Sequence, residues 1–171
     1  AYFEFSNITF SNLIYTCDNL VVARTLSKAF SLAGARIGYI LAPEHIIAKL
    51  NEGRLVFDVP IPSIIAAIAA LEDLDYMRMV VRAVVHLRER LAAQLASAGL
   101  RMTKSFTNFL LVELPRKGSE VGEALRERGI LVHVPRDPML ENFIRVSVGK
   151  EEENEVFVKE LMNVLKESQT G

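Results

Sequence analysis

Residues 25–39 read TLSKAFSLAGARIGY, and this stretch decides the predicted fold. Two apolar runs overlap its ends, LVVART at residues 20–25 and IGYILA at residues 37–42, and each is typical of a short buried strand. Between them Lys28 precedes Arg36 by eight residues, among small side chains that favour a tight connection. We therefore expect a lysine-bearing loop between two strands, and we expect the chemistry of the chain in that loop.

Helices and strands alternate along the rest of the chain. Apolar residues recur every three or four positions from Asp75 to Ala98, which predicts a long helix that ends at Gly99. An alanine-rich helix before it should be buried, and the alternation favours helices that cover one face of a small sheet. The other helices are predicted at 43–50, 63–73, 119–128 and 151–166, and the strands at 100–104, 108–114, 130–134 and 143–148.

Composition excludes several classes of function. Lys and Arg number 20 against 21 Asp and Glu, so the chain has no basic field that would hold a nucleic-acid backbone. Cys17 is the single cysteine and is interpreted as a small buried thiol of a reducing, cytoplasmic setting. No apolar run is long enough to cross a bilayer. We expect a cytoplasmic protein without membrane, nucleic-acid or metal partners.

The opening of the chain is unusual. It begins at Ala1 without a methionine, inside the aromatic-rich segment AYFEF, which resembles the end of a strand. We interpret the chain as a piece of something longer.

The lysine segment resembles the cofactor signature of the fold-type I pyridoxal-phosphate-dependent aminotransferases, in which Ser-Lys is followed by Gly-x-Arg-x-Gly. Within that group RTLSKAF and IRVSVG are most similar in style to the histidinol-phosphate aminotransferases. The resemblance implies an α/β fold that covers about half of the family's usual length. Residues 1–72 would be the C-terminal remnant of the large cofactor-binding domain and its sheet, and residues 73–171 the small α+β domain.

The resemblance also implies a cofactor site. Lys28 would carry pyridoxal 5'-phosphate, Ser27 and Arg36 would hold its phosphate, and Tyr2 would donate to the phenolic oxygen of its ring. The residue types suit these roles, because a lysine that attacks an aldehyde needs a constrained, partly desolvated loop and an arginine fork matches phosphate oxygens. Gly34 and Gly38 would allow close approach of the backbone.

Two further segments resemble substrate-binding parts of the family. Arg145, in FIRVSVG, would grip the substrate α-carboxylate, and Asn108, in TNFLLV, would lie near the substrate. Without the family, Arg145 is equally well explained as a salt-bridge partner and the Asn108 segment as a plain buried strand. Many such enzymes have an arginine where this chain has His133, with Arg136 three residues later, so the grip on a substrate phosphate stays open.

The implied function is transamination of histidinol phosphate with 2-oxoglutarate in histidine biosynthesis, by a homodimer or larger assembly. Its partners would be small amino-acid and 2-oxo-acid substrates. The alternatives are a threonine-phosphate decarboxylase or another fold-type I enzyme, and a non-catalytic interaction domain derived from one. The 171-residue chain by itself is expected to be inactive.

Overall fold

The computed structural model describes residues 1–167, which form two compact units. The first unit comprises Ala1–Val81 and the second begins at Arg82. The boundary between the two units lies within the longest helix, Leu74–Ser97. The predicted domain boundary after residue 72 coincides with a break between two helices and stays a prediction.

The first unit contains a two-stranded antiparallel sheet. Strand β1 pairs with strand β2 so that Thr25 lies opposite Gly38, which confirms the two predicted strands in slightly shorter form. Their predicted burial is wrong, because none of the residues of β1 or β2 is buried by the described part of the chain. The elements of this unit are helix α1 (Phe3–Ser6), β1 (Val22–Thr25), β2 (Gly38–Leu41), α2 (Glu44–Glu52), α3 (Ile61–Glu72), the start of α4 (Leu74–Ser97), and the 3₁₀ turns Ser11–Tyr15 and Ala33–Ala35.

Two further predictions for this unit, about its first residues and about helix α3, are wrong. The first residues form α1 and not a strand end, because the backbone N–H groups of Phe5 and Ser6 both donate to the Tyr2 carbonyl. Helix α3 was expected to be buried, yet only Ser63 and Ala67 of its residues are. A helix with apolar residues on all sides is usually enclosed by other elements. The described residues cover only one side of α3. Its exposed apolar residues are Ile61, Ile64, Ile65, Ile68 and Leu71.

Helix α4 begins and ends at the signals that its sequence carries. The Asp73 carboxylate accepts a hydrogen bond of 3.0 Å from the Tyr76 amide, which satisfies a free donor of the first turn. At the other end Gly99 adopts a φ of +84°, and the Leu100 amide donates to the Leu95 carbonyl. The predicted stop at Gly99 is therefore confirmed, since a left-handed residue there favours glycine.

The second unit is a three-stranded antiparallel sheet with helices on one face. Its elements are β3 (Arg101–Met102), β4 (Phe109–Glu113), α5 (Gly118–Glu127), the 3₁₀ turn Pro138–Leu140, β5 (Phe143–Ser147) and α6 (Glu151–Glu167), in the sheet order β3-β4-β5. The predicted strand at 130–134 shrinks to a single bridge between His133 and Arg145. The predicted layer of helices is confirmed.

The alternation of strand side chains places the core of this unit on the helix side. Leu110 and Val112 of β4 and Ile144 and Val146 of β5 are buried, whereas their odd-numbered neighbours lie on the other face. Each fully buried leucine or isoleucine contributes about 1.5–3 kcal/mol. The helices add Leu91 and Leu95 from α4, Val121 and Leu125 from α5, and Phe157, Leu161, Val164 and Leu165 from α6.

Candidate active site

Lys28 and Tyr2 lie close together in the first unit. The Lys28 side chain is exposed, and its Nζ is 5.9 Å from the centroid of the Tyr2 ring. Tyr2 caps the start of α1, while Lys28 lies in the loop between β1 and β2. The structure thus brings together two predicted site residues that are 26 positions apart in the sequence.

Arg24 fixes the segment that carries Tyr2. Its guanidinium stacks over the Phe3 ring at 3.7 Å, and its Nη2 donates to the Thr9 hydroxyl at 2.6 Å. Arg24 is not among the site residues predicted from the sequence. The signal that the sequence offers is an arginine within the apolar run LVVART, directly before the lysine motif.

The loop around Lys28 is anchored on both sides. Leu26 and Ala29 are 3% and 2% exposed, and the Leu26 amide donates to the Ile37 carbonyl at 3.1 Å. The Thr25 hydroxyl donates to Ser27 Oγ at 2.9 Å. Because Ser27 Oγ accepts that bond, its own proton stays available for a further acceptor.

Arg36 adopts a left-handed conformation at the end of the same loop, with a φ of +53°. Its side chain is exposed, and Nη1 donates to the Ala33 carbonyl at 2.8 Å. The glycines differ in their surroundings. A Cβ on Gly38 would collide with the Arg24 carbonyl across the strand pair, whereas a Cβ on Gly34 would meet no described atom within 4 Å. The backbone therefore approaches another strand closely at Gly38, whereas no described atom of residues 1–167 lies close to Gly34.

Arg145 lies on the sheet face of the second unit that the helices leave uncovered. Its guanidinium lies 5.0 Å from the centroid of the Phe109 ring. Its backbone exchanges two hydrogen bonds with His133, of 2.8 and 3.0 Å, so the two exposed side chains share one face. None of the ion pairs found among residues 1–167 includes Arg145. The guanidinium is therefore available to an external anion.

Asn108 precedes β4 at the end of the same sheet. Its carbonyl accepts a hydrogen bond of 2.9 Å from the Val148 amide, which continues the pairing of β4 with β5. Asn108 is half-buried, and the strand that follows is buried on its helix side only. The structure thus places Asn108 at a strand end and not within a plain buried strand.

None of the helices within residues 1–167 combines the length and the apolar character that a membrane span requires. Nor does that part of the chain bring together three or more His, Cys, Asp or Glu side chains that could hold a metal ion.

Comparison with known proteins places these residues in a family. The family model of aminotransferase class I and II matches residues 4–161. The histidinol-phosphate aminotransferases of Sulfurisphaera tokodaii and Roseiflexus castenholzii are 38% and 40% identical to the chain over 96% and 98% of its length. The crystal structure of histidinol-phosphate aminotransferase from Sinorhizobium meliloti in complex with pyridoxal-5'-phosphate matches 98% of the chain, with 30% identity and a TM-score of 0.89.

The match covers only part of each relative. The chain spans 44% and 45% of the two enzymes compared by sequence, and 47% of the Sinorhizobium meliloti chain. The fold is accordingly that of part of a fold-type I aminotransferase. Since the family model covers most of the sequence, the chain belongs to the class I and II aminotransferase family.

Proposed function

We propose that the complete protein is a pyridoxal-phosphate-dependent aminotransferase that transfers an amino group between histidinol phosphate and 2-oxoglutarate in histidine biosynthesis. One observation carries the proposal: in a chain of this family, the exposed Lys28 amine lies beside the Tyr2 ring on a loop pinned by buried Leu26 and Ala29. A reactive amine needs such a fixed backbone, because its direction of approach must be set before reaction. We expect the enzyme to be a cytoplasmic homodimer.

The residues of the first unit fit pyridoxal phosphate. The Lys28 amine is exposed, the Ser27 hydroxyl has a free proton to donate, and the Arg36 guanidinium uses one N–H on Ala33 and keeps the others. Together with the Tyr2 hydroxyl, this set supplies an amine for an aldehyde, donors for phosphate and a donor for a phenolic oxygen. Lys28, Ser27, Arg36 and Tyr2 would therefore hold the cofactor.

The roles of these residues follow from their chemistry. The pyridoxal ring, when bound, supplies an electron sink that stabilises negative charge at the substrate Cα. The Lys28 amine would take the proton from the substrate Cα as a base and would hold it for return as an acid. Arg145 binds the anionic group of the substrate through its free N–H donors, and Asn108 supplies further hydrogen bonds.

Substrate profiling of the complete protein tests the proposal. With pyridoxal phosphate, histidinol phosphate and 2-oxoglutarate, we expect glutamate to form. Release of carbon dioxide from O-phosphothreonine without any transamination would instead support a decarboxylase. Absence of cofactor absorbance in the complete protein would support a non-catalytic domain. The result with histidinol phosphate decides the substrate. His133 stands where many relatives use an arginine, so this result shows whether the chain still binds a substrate phosphate.

A further inference from the structure

Arg88 is a buried charged side chain for which the proposed reaction has no direct use. It lies on α4, is 5% exposed, and is the only Lys, Arg, Asp or Glu of residues 1–167 that is buried. Its Nε and Nη2 donate to one oxygen of Glu89 at 3.1 and 2.8 Å. The Glu89 side chain is 67% exposed, so much of its hydration stays in place. An ion pair of this kind compensates poorly for the burial of a cation, which points to another use of Arg88.

The remaining hydrogen bond of Arg88 reaches a distant part of the chain. Nη1 donates to the Thr107 carbonyl at 2.9 Å, across 19 positions of sequence. That carbonyl belongs to the peptide group just before Asn108. The peptide group just after Asn108 is held as well, because the Asn108 carbonyl accepts from the Val148 amide at 2.9 Å. The two flanking peptide planes set φ and ψ of Asn108, so these two bonds constrain the direction of its Cα–Cβ bond.

The same turn also holds Phe109, on which Arg145 rests. The Thr107 hydroxyl accepts from the Phe109 amide at 3.2 Å and donates to the Phe109 carbonyl at 3.1 Å. The Phe109 ring in turn lies 5.0 Å from the Arg145 guanidinium. A displacement of Thr107 would therefore reach Asn108 directly and Arg145 through Phe109.

We propose that Arg88 is a positioning residue for substrate binding. It holds the Thr107 carbonyl and thereby sets the orientation of Asn108 and of the Phe109 ring beneath Arg145, without touching the substrate. The inference rests on the proposed function, since Asn108 and Arg145 are its substrate-binding residues. It adds to that function a buried arginine from the neighbouring helix.

The test compares Arg88→Met with Arg90→Met in the complete protein. Methionine has a similar length, and Glu89 stays hydrated when its partner is removed, so the Arg88 variant is expected to fold. Arg90 lies on the same helix, is 45% exposed and pairs with Glu151, which makes it a matched control. For Arg88→Met we expect KM for the amino donor to rise by about tenfold to a hundredfold, the range expected when a hydrogen bond between the substrate and a charged group is misaligned or lost. Cofactor absorbance and kcat should change little.

Hydrogen exchange provides a readout that is independent of activity. The amides of Phe109 and Val148 should exchange faster in Arg88→Met and at the normal rate in Arg90→Met, because both amides are bonded within the clamped turn. Arg88→Lys keeps one donor toward Thr107, so KM and the exchange rates of the two amides should lie closer to those of the unaltered protein. This variant replaces Arg88→Met in the test if Arg88→Met does not fold.

Each outcome decides the proposal. If the Phe109 and Val148 amides exchange at the normal rate in both Arg88 variants, Arg88 does not hold the turn at Thr107. If these amides exchange faster but KM is unchanged, Arg88 has no role in substrate binding. If the unaltered complete protein fails to transfer an amino group from histidinol phosphate to 2-oxoglutarate, the proposed function fails, and the exchange rates alone then decide whether Arg88 positions Asn108.

Discussion

Lys28 combines an exposed amine with a backbone that its buried neighbours hold in place. Borohydride reduction of the complete protein with pyridoxal phosphate is expected to leave a phosphopyridoxyl group on Lys28, which peptide mass spectrometry would locate. In the proposed site, Ser27 and Arg36 would supply phosphate donors in register with this lysine alone. Lys49 is an internal control, since it is exposed in the same unit but is paired with Glu52 at 2.7 Å. Modification of another lysine, with Lys28 unmodified, would contradict the assignment.

Arg145 is a second residue whose role can be isolated, because its proposed partner is the substrate and not the cofactor. In the complete enzyme Arg145→Ala should weaken amino-acid use by about 2–5 kcal/mol, the usual loss when one partner of a desolvated charge pair is removed. Cofactor absorbance should stay intact. Arg101→Ala is the matched control, since Arg101 lies in the same sheet but pairs with Glu113 at 2.6 Å. Lost cofactor binding with normal substrate affinity would show that Arg145 is misassigned.

The β1–β2 pair is the element that positions the lysine loop, and Gly38 sets how closely the two strands approach. Gly38→Ala should destabilise the pair by about 1–3 kcal/mol, because the added Cβ would collide with the Arg24 carbonyl. The measurement is faster hydrogen exchange of the Leu26 amide, which is bonded to the Ile37 carbonyl. Gly34→Ala in the 171-residue chain should have a much smaller effect, since the space there is open. Equal effects of the two substitutions would mean that the close approach at Gly38 is not what holds the loop.

The two units differ in how completely their apolar side chains are buried. The second unit has its own apolar core, whereas the first exposes apolar side chains at residues 55–57 and along α3. Among them Phe57 is 94% exposed and Ile65 is 62% exposed. Exposed apolar side chains that lie together on a surface are typical of an interface.

The 171-residue chain alone should therefore self-associate and should not transaminate. Size-exclusion chromatography and an amino-transfer assay check both statements. Phe57→Ser should reduce the association, while Met139→Ser, at a methionine that is 88% exposed in the second unit, should not. A monomeric chain that is active on an amino acid would refute its interpretation as half of a larger enzyme.

The sequence by itself determined the family, most helices and strands, and the spacing of the lysine motif. These features are local: the step from Lys28 to Arg36, the apolar period of α4 and the stop at Gly99 can each be read within a few turns of chain. Helix α3 misled the prediction for the same reason, because its apolar residues show that it needs cover without showing whether this chain provides it.

Only the tertiary structure decided how residues that look equivalent in the sequence differ in burial and in contacts. The segment at 88–90 reads Arg-Glu-Arg, yet the Arg88 side chain is 7% exposed and the Arg90 side chain is 45% exposed. The short helix that brings Tyr2 to Lys28 was likewise absent from the predictions. Burial of an arginine depends on which side of a helix faces a distant loop, and proximity of Tyr2 to Lys28 depends on a contact between segments 26 positions apart. Such contacts arise from packing between elements, and no local pattern encodes them.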